Sequence, residues 1–270
     1  MARLSARERA ALPDKAFAYL ESTGARRLPI HDEAHVRNAL SRFDRVQFES
    51  DDAKDRARQR LLNAAKRFGI MPIGFVSSQL RSARPGAELP TGLVTFLLTD
   101  IEGSTALLRE LDAEYAVVLR DMRRLIGDAV RSHGGHRVDA YGDGHFSVFA
   151  DAGAALQAAV AVQLAVAAAP WPRGVPVRVR AGLHTGRPTL SDGGYVGLSV
   201  HTVARICSVA HGGQVVVSGQ TSTAVEVMPD GVGFLDLGSH RLAGLGREEQ
   251  LFQVVAPGLG TEFPALRILP

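Results

Sequence analysis

Cysteine is almost missing from this chain of 270 residues, since Cys207 stands alone. That excludes an internal disulfide and any cysteine-based zinc cluster, and argues against redox chemistry. Long hydrophobic runs are also lacking, and no apolar stretch is long enough to cross a bilayer. The basic start, Met1 to Arg9, has neither the hydrophobic segment nor the small-residue cleavage site of a secretory signal, so a cytoplasmic location is expected. Charge of one sign is scarce too: 31 Lys and Arg face 28 Asp and Glu, a formal net charge of +3. With a sequence pI near 9.3 the excess is basic, which is weak support for a nucleic-acid partner. Arg56, Arg58, Arg60, Lys66 and Arg67 are interleaved with Asp51, Asp52 and Asp55, the mark of a solvated, salt-bridged helix rather than a binding patch. What is present is enough apolar character, 46% of residues, to bury a core in one large domain or in one ordinary domain with a smaller partner.

Residues 82 to 92, SARPGAELPTG, hold two prolines and two glycines and read as a linker. It separates a small helical module at 1–81 from a larger domain at 93–257, with a tail at 258–270. In the module, Asp32 is the expected N-cap of a helix carrying Ala34, Val36, Leu40 and Phe43. A second helix is expected from Asp51 to Phe68, ended by Gly69. His31, Asp32, Glu33 and His35 crowd one helix start. His31 lies at or before the cap and no third ligand is evident, so capping and surface roles are preferred there to a metal.

Past the linker the pattern becomes strand, helix, strand, strand, helix, strand. LVTFLLT, residues 93–99, is a continuous apolar run of strand length that ends in Asp100, as suits a buried central strand. A helix is expected from Ala106 to His133. Strands at 137–141 and 145–149 flank the turn Gly142-Asp143-Gly144, a hairpin signal. An alanine-rich helix at 152–169, a strand at 175–184, a helix at 200–210 and strands at 214–218 and 250–255 complete an α+β sandwich, with helices on a mainly antiparallel sheet.

Two carboxylates stand where such a fold can bring them together: Asp100 at the end of the first strand and Asp143 in the hairpin tip. Paired carboxylates suit Mg²⁺, which takes one or two of them with waters and substrate phosphate oxygens. Immediately after Asp100, Ile101-Glu102-Gly103-Ser104-Thr105 opens a helix whose free N–H groups and positive dipole end suit a polyphosphate. Metal ligands beside a phosphate cradle point to phosphoryl or nucleotidyl chemistry.

The segments TFLLTDIEGST, YGDGHFSVF, VRVRAGLHTG, YVGLSVHTVARI and HGGQVVVS follow one another in the order and spacing of class III nucleotidyl cyclase catalytic domains, which the stretch from Gly92 to Pro257 resembles. The resemblance implies the ferredoxin-like cyclase sandwich. It also implies a homodimer that closes ATP or GTP into the 3′,5′-cyclic monophosphate with two Mg²⁺ or Mn²⁺ ions per site. Asp100, Asp143 and the carbonyl of Ile101 match the metal ligands, and Glu102 to Thr105 match the phosphate loop. Arg205 matches the arginine that steadies the α-phosphate from the partner subunit. The N-terminal segment resembles a small helical module found beside bacterial cyclase domains and in some phage-related proteins. The tail resembles the linker that leads, in many bacterial relatives, into an ATPase or regulatory region; here a stand-alone version is expected.

Four positions depart from the pattern: Asp139 where adenylyl cyclases have lysine, Gly194 for the adenine-reading Asp or Thr, His201 for asparagine, and Ala243 for a phosphate-binding lysine. A carboxylate at 139 cannot donate to adenine N1 but can accept from guanine N1–H and its amine, so GTP stands beside ATP. Imidazole at 201 still donates a hydrogen bond. Retained cyclase chemistry of low or atypical rate is the first expectation. A silent cyclase-like domain that binds a nucleotide or a partner is the second, and a DNA-binding regulator is a distant third because no base-reading residues stand out on one helix. The scattered histidines, among them His145 and His184, are expected at the surface or hydrogen-bonded in the core.

Overall fold

The computed structural model describes residues 6–68, 89–141, 143–191 and 194–268. It divides into two compact units, Met1–Phe75 and Val76–Pro270. Most of the expected linker lies outside the described residues.

In the first unit a short helix, α1 (Ala6–Ala11), precedes strands β1 (Phe17–Leu20) and β2 (Arg26–Pro29), followed by α2 (Glu33–Arg42) and α3 (Asp51–Arg67). Both main helices fall where their spacing places them, and Asp32 caps α2 by accepting from the His35 amide. The antiparallel β1–β2 hairpin was not expected. Four-residue strands leave too few alternations to register as a period of two. Phe17, Tyr19, Val36, Phe43, Leu61 and Ala65 are buried, so two helices close over the hairpin to make one small core.

The second unit is built on a seven-stranded sheet ordered β10-β11-β9-β6-β3-β5-β4. In chain order its elements are β3 (Val94–Ile101), α4 (Ser104–Leu111), α5 (Tyr115–Ser132), β4 (His136–Tyr141), β5 (Gly144–Phe149), α6 (Ala152–Ala168), β6 (Val179–Gly186), β7 (Thr189–Ser191), β8 (Gly194–Val196), α7 (Leu198–Val209), β9 (Val215–Ser218), α8 (Gly219–Ala224), β10 (Gly233–Arg241) and β11 (Glu248–Val255). Among the described residues, only β6 and β9 pair in parallel. β3 is central and buried along nearly its whole length, as its apolar run requires. One sheet face packs Leu97, Ile101 and Leu183 against Val118, Met122 and Ile126 of α5 and Leu156, Ala159 and Val162 of α6. Alanines let α6 approach closely, and Asp151 caps it through the Ala154 amide at 2.6 Å. A second cluster joins Ile206 and Val209 of α7 to Val216, Leu251, Leu242 and Leu245.

Three expectations change. The helix expected from 106 to 133 is two helices, because Asp112 adopts φ 45° at a 3₁₀ turn between α4 and α5. The strand expected from 175 begins at Val179. β10 was not foreseen: it is half-exposed, glycine-bearing and bulged between Asp236 and Gly238, which breaks the alternation that marks a strand.

Candidate active site

Asp100 reaches its place because β3 runs past the sheet edge of β5 and stays paired with β6, where the register sets Asp100 directly opposite Arg180. Arg180 donates to Asp100 Oδ2 from Nε at 3.0 Å and from Nη2 at 2.5 Å. The two side chains are only 15% and 18% exposed, so each charge needs the other. Burial opposes the Arg180 charge, but the nearby carboxylates, Asp100 foremost and Asp143 with it, outweigh that and hold the guanidinium above its usual range.

Asp143 occupies the turn between β4 and β5, where Tyr141 pairs with Gly144. Its field acts on three groups that also feel Asp100: Arg180, Tyr115 and Cys207. The hairpin tip and the end of the central strand therefore converge. Tyr115, the first residue of α5, has its hydroxyl pushed up to about 12, mainly by burial and then by Asp143, while sharing a side-chain hydrogen bond with Ser104. Cys207 is fully buried with its thiol also pushed up to about 12, chiefly by burial, so it is not a nucleophile.

The expected phosphate loop follows. Gly103 takes a left-handed conformation, φ 64° and ψ 22°, as N-cap of α4, a conformation that favours glycine. It turns the chain so that the first amides of α4 lie at the helix start beside Asp100. Ser104 is buried and tied to Tyr115, while Thr105 is exposed. The Glu102 carboxylate accepts a short hydrogen bond from Arg267. The chain end packs here as well: Arg267 donates from Nε to His211 Nδ1 at 3.2 Å, and its amide bonds the Val209 carbonyl.

His201 and Arg205 lie one turn apart on α7. Burial first, and then the Arg205 charge, lower the His201 pKa, so its imidazole is held neutral. A methyl group added at Gly244 would meet Arg205 Nη2 at 3.7 Å, which sets Arg205 against the turn that carries the exposed Ala243. Asp139 stands on β4 opposite Phe146 and Gly194 begins β8; their surroundings fall outside the described residues.

Arg180 and Tyr115 escaped the sequence reading. The signal for Arg180 was a cation inside a strand that is otherwise buried, which needs a carboxylate partner. Only the β3–β6 register says which one.

An α+β sheet domain with a carboxylate centre at the end of its middle strand is the class that this fold and site define. Residues 88–254 match the family model described as the adenylate and guanylate cyclase catalytic domain, and the chain belongs to that family. Residues 6–72 match a family of unknown function, DUF6582. An uncharacterized protein of Mycobacterium tuberculosis, Rv0891c, is 38% identical over 181 residues, a match covering 66% of this chain and 61% of that protein. The chain thus spans under two-thirds of that relative's length. Among solved structures, an adenylate cyclase of Trypanosoma brucei in its monomeric state superposes with TM-score 0.61 at 25% identity, covering 69% of this chain and 99% of that one. An adenylate/guanylate cyclase/hydrolase of Silicibacter pomeroyi does so with TM-score 0.53 at 26% identity, covering 63% and 100%. Among the described residues, no helix is long and apolar enough to cross a membrane.

Proposed function

We propose that the second unit is a nucleotidyl cyclase, converting ATP or GTP to the 3′,5′-cyclic monophosphate and pyrophosphate at a site shared across a homodimer. The observation that carries this reading is the convergence of Asp100 and Asp143 on the same three neighbours. Arg180 and, through its field on Tyr115, Arg123 lie in the same neighbourhood, and paired carboxylates offer the hard oxygen donors that fit Mg²⁺ or Mn²⁺. Asp100, Asp143 and the Ile101 carbonyl would hold two such ions, which when bound would acidify the ribose 3′-hydroxyl and neutralise the departing pyrophosphate.

The chain's own groups have distinct tasks. Arg180 fixes the Asp100 carboxylate in place and is a positioning residue. The helix start at Gly103, Ser104 and Thr105 offers backbone N–H groups to the β- and γ-phosphates. In the reaction the 3′-oxygen forms a bond to the α-phosphorus, the bond from that phosphorus to the bridging oxygen breaks, and the hydroxyl proton passes to solvent. Arg205, reaching from the partner subunit, would balance charge building on the α-phosphate, and neutral His201 would donate a hydrogen bond beside it. Asp139 would accept from guanine, which makes GTP the substrate to test alongside ATP.

The test is formation of cyclic AMP and cyclic GMP from ATP and GTP, with Mg²⁺ and with Mn²⁺, by the purified chain and by Asp100→Ala. Product from the wild type and a fall of at least about a hundredfold in the variant are expected. Equal signals, or none from either, would favour a silent domain that binds a nucleotide or a partner.

A further inference from the structure

In the first unit, the cap of α2 holds more polar groups than capping requires. Asp32 Oδ1 accepts from the His35 amide at 2.8 Å, which satisfies one free N–H at the helix start. The same carboxylate is met by two imidazoles. His35 Nδ1 lies 2.8 Å and 2.9 Å from its two oxygens, and His31 Nε2 lies 3.1 Å from Oδ2. The two rings are 4.3 Å apart between centroids, inclined at 38°. Each of the three residues brings one donor atom within 4.8 Å of the other two.

Capping explains Asp32, and a ring contact from His35 would follow from helix geometry alone. It does not explain His31, which precedes the cap and is nonetheless folded back onto the same carboxylate. Its Nδ1 is buried with no hydrogen-bond partner among the described residues. The His31 ring thus meets Asp32 through Nε2 and carries a second, buried nitrogen without a partner. The backbone beneath is fixed from two sides: Ile30 and Val36 are buried, and Arg67 of α3 donates to the Ile30 carbonyl at 2.9 Å.

We propose that His31, Asp32 and His35 form a binding site for one zinc-type divalent cation, held by two imidazole nitrogens and one carboxylate oxygen with a further position open to solvent. Nitrogen donors select such a cation over Mg²⁺, which prefers oxygen. Donors around a tetrahedral ion at about 2.0–2.1 Å stand about 3.3 Å apart. The observed separations from the Asp32 oxygens, 2.8 to 3.1 Å, need a small expansion, and the two imidazole nitrogens, which lie within 4.8 Å of each other, must settle to a similar spacing. The histidine side chains are 23% and 15% exposed and Asp32 is 48% exposed, so the rings are held while the carboxylate side is open to an entering ion. The site is independent of the cyclase reading.

The test is calorimetric titration of Zn²⁺ into the metal-stripped full chain in excess Mg²⁺, which keeps hard oxygen sites occupied, with Co²⁺ absorption as a second readout. One zinc per chain at micromolar affinity is expected. Affinity should weaken at least about tenfold in His31→Gln, His35→Gln and Asp32→Asn, and stay unchanged in His136→Gln, an exposed histidine elsewhere. The visible bands of nitrogen-ligated Co²⁺ should appear in the wild type, a measurement that does not depend on the variants folding. No zinc heat and no cobalt bands at large metal excess would overturn the proposal, as would full binding by a folded His31→Gln, His35→Gln double variant.

Discussion

Two buried histidines show how individual residues couple this fold to pH. His184 Nδ1 bonds Ser218 Oγ at 2.9 Å across neighbouring strands, and His145 Nδ1 bonds Ser147 Oγ at 3.0 Å. Both are nearly inaccessible, and burial, aided by nearby arginines, pulls each pKa down from 6.5 to about 4. A folded-state pKa below the unfolded one means the neutral ring favours folding. The contribution is therefore complete above about pH 6.5 and is lost as pH falls from there to about 4. At 1.36 kcal/mol per unit, each histidine accounts for a loss on the order of 3 kcal/mol across that window. Urea midpoints measured between pH 7 and 4.5 should fall for the wild type and fall distinctly less for His184→Gln. Parallel pH profiles for the two proteins would show that His184 is not held neutral.

Among elements, the contact of β6 with α7 is the tightest constraint on the site. A Cβ at Gly182 would lie 2.5 Å from the backbone N of Cys207 and 2.8 Å from its Cα. Those atoms belong to a helix and can yield only if α7 moves, taking His201 and Arg205 with it. Gly182→Ala should lose about 1–3 kcal/mol of stability and most cyclase activity, read by urea unfolding and the cyclic nucleotide assay. Gly127→Ala, on α5, meets only the flexible end of Arg131 at 3.5 Å, and should be neutral or gain up to about 1 kcal/mol. Equal stability of the two variants would remove the packing argument. The same elements show what could be read in advance. β3 announces itself by an unbroken apolar run, and the β4–β5 turn by Gly-Asp-Gly. β10 does not, because an exposed edge strand with a bulge has no alternation to display, and neither does the break at Asp112, since no proline or glycine marks it. Asp100 and Asp143 could be singled out as candidates because carboxylates at strand ends seek cations. Arg180 was not, because its partner is set by register rather than by spacing.

On the scale of the whole molecule, the candidate catalytic groups of the second unit fall into two sets. Asp100, Asp143, Arg180, Tyr115 and Ser104 gather at the end of β3, while His201 and Arg205 share α7, with Arg205 set against Gly244. In a two-fold dimer the first set of one subunit would face the second set of the other, and each of two equivalent sites would draw its carboxylates and its arginine from different chains. That arrangement has a countable consequence. Asp100→Ala and Arg205→Ala should each be inactive as homodimers. Mixed in equal amounts and allowed to exchange, half of the dimers are heterodimers, and each of these carries one doubly damaged site and one intact site. About a quarter of wild-type activity should therefore return on mixing. Recovery near that fraction requires a shared site; mixtures that stay as inactive as their parents, with subunit exchange verified by a labelled partner, would place Arg205 and Asp100 in the same subunit's chemistry or in none.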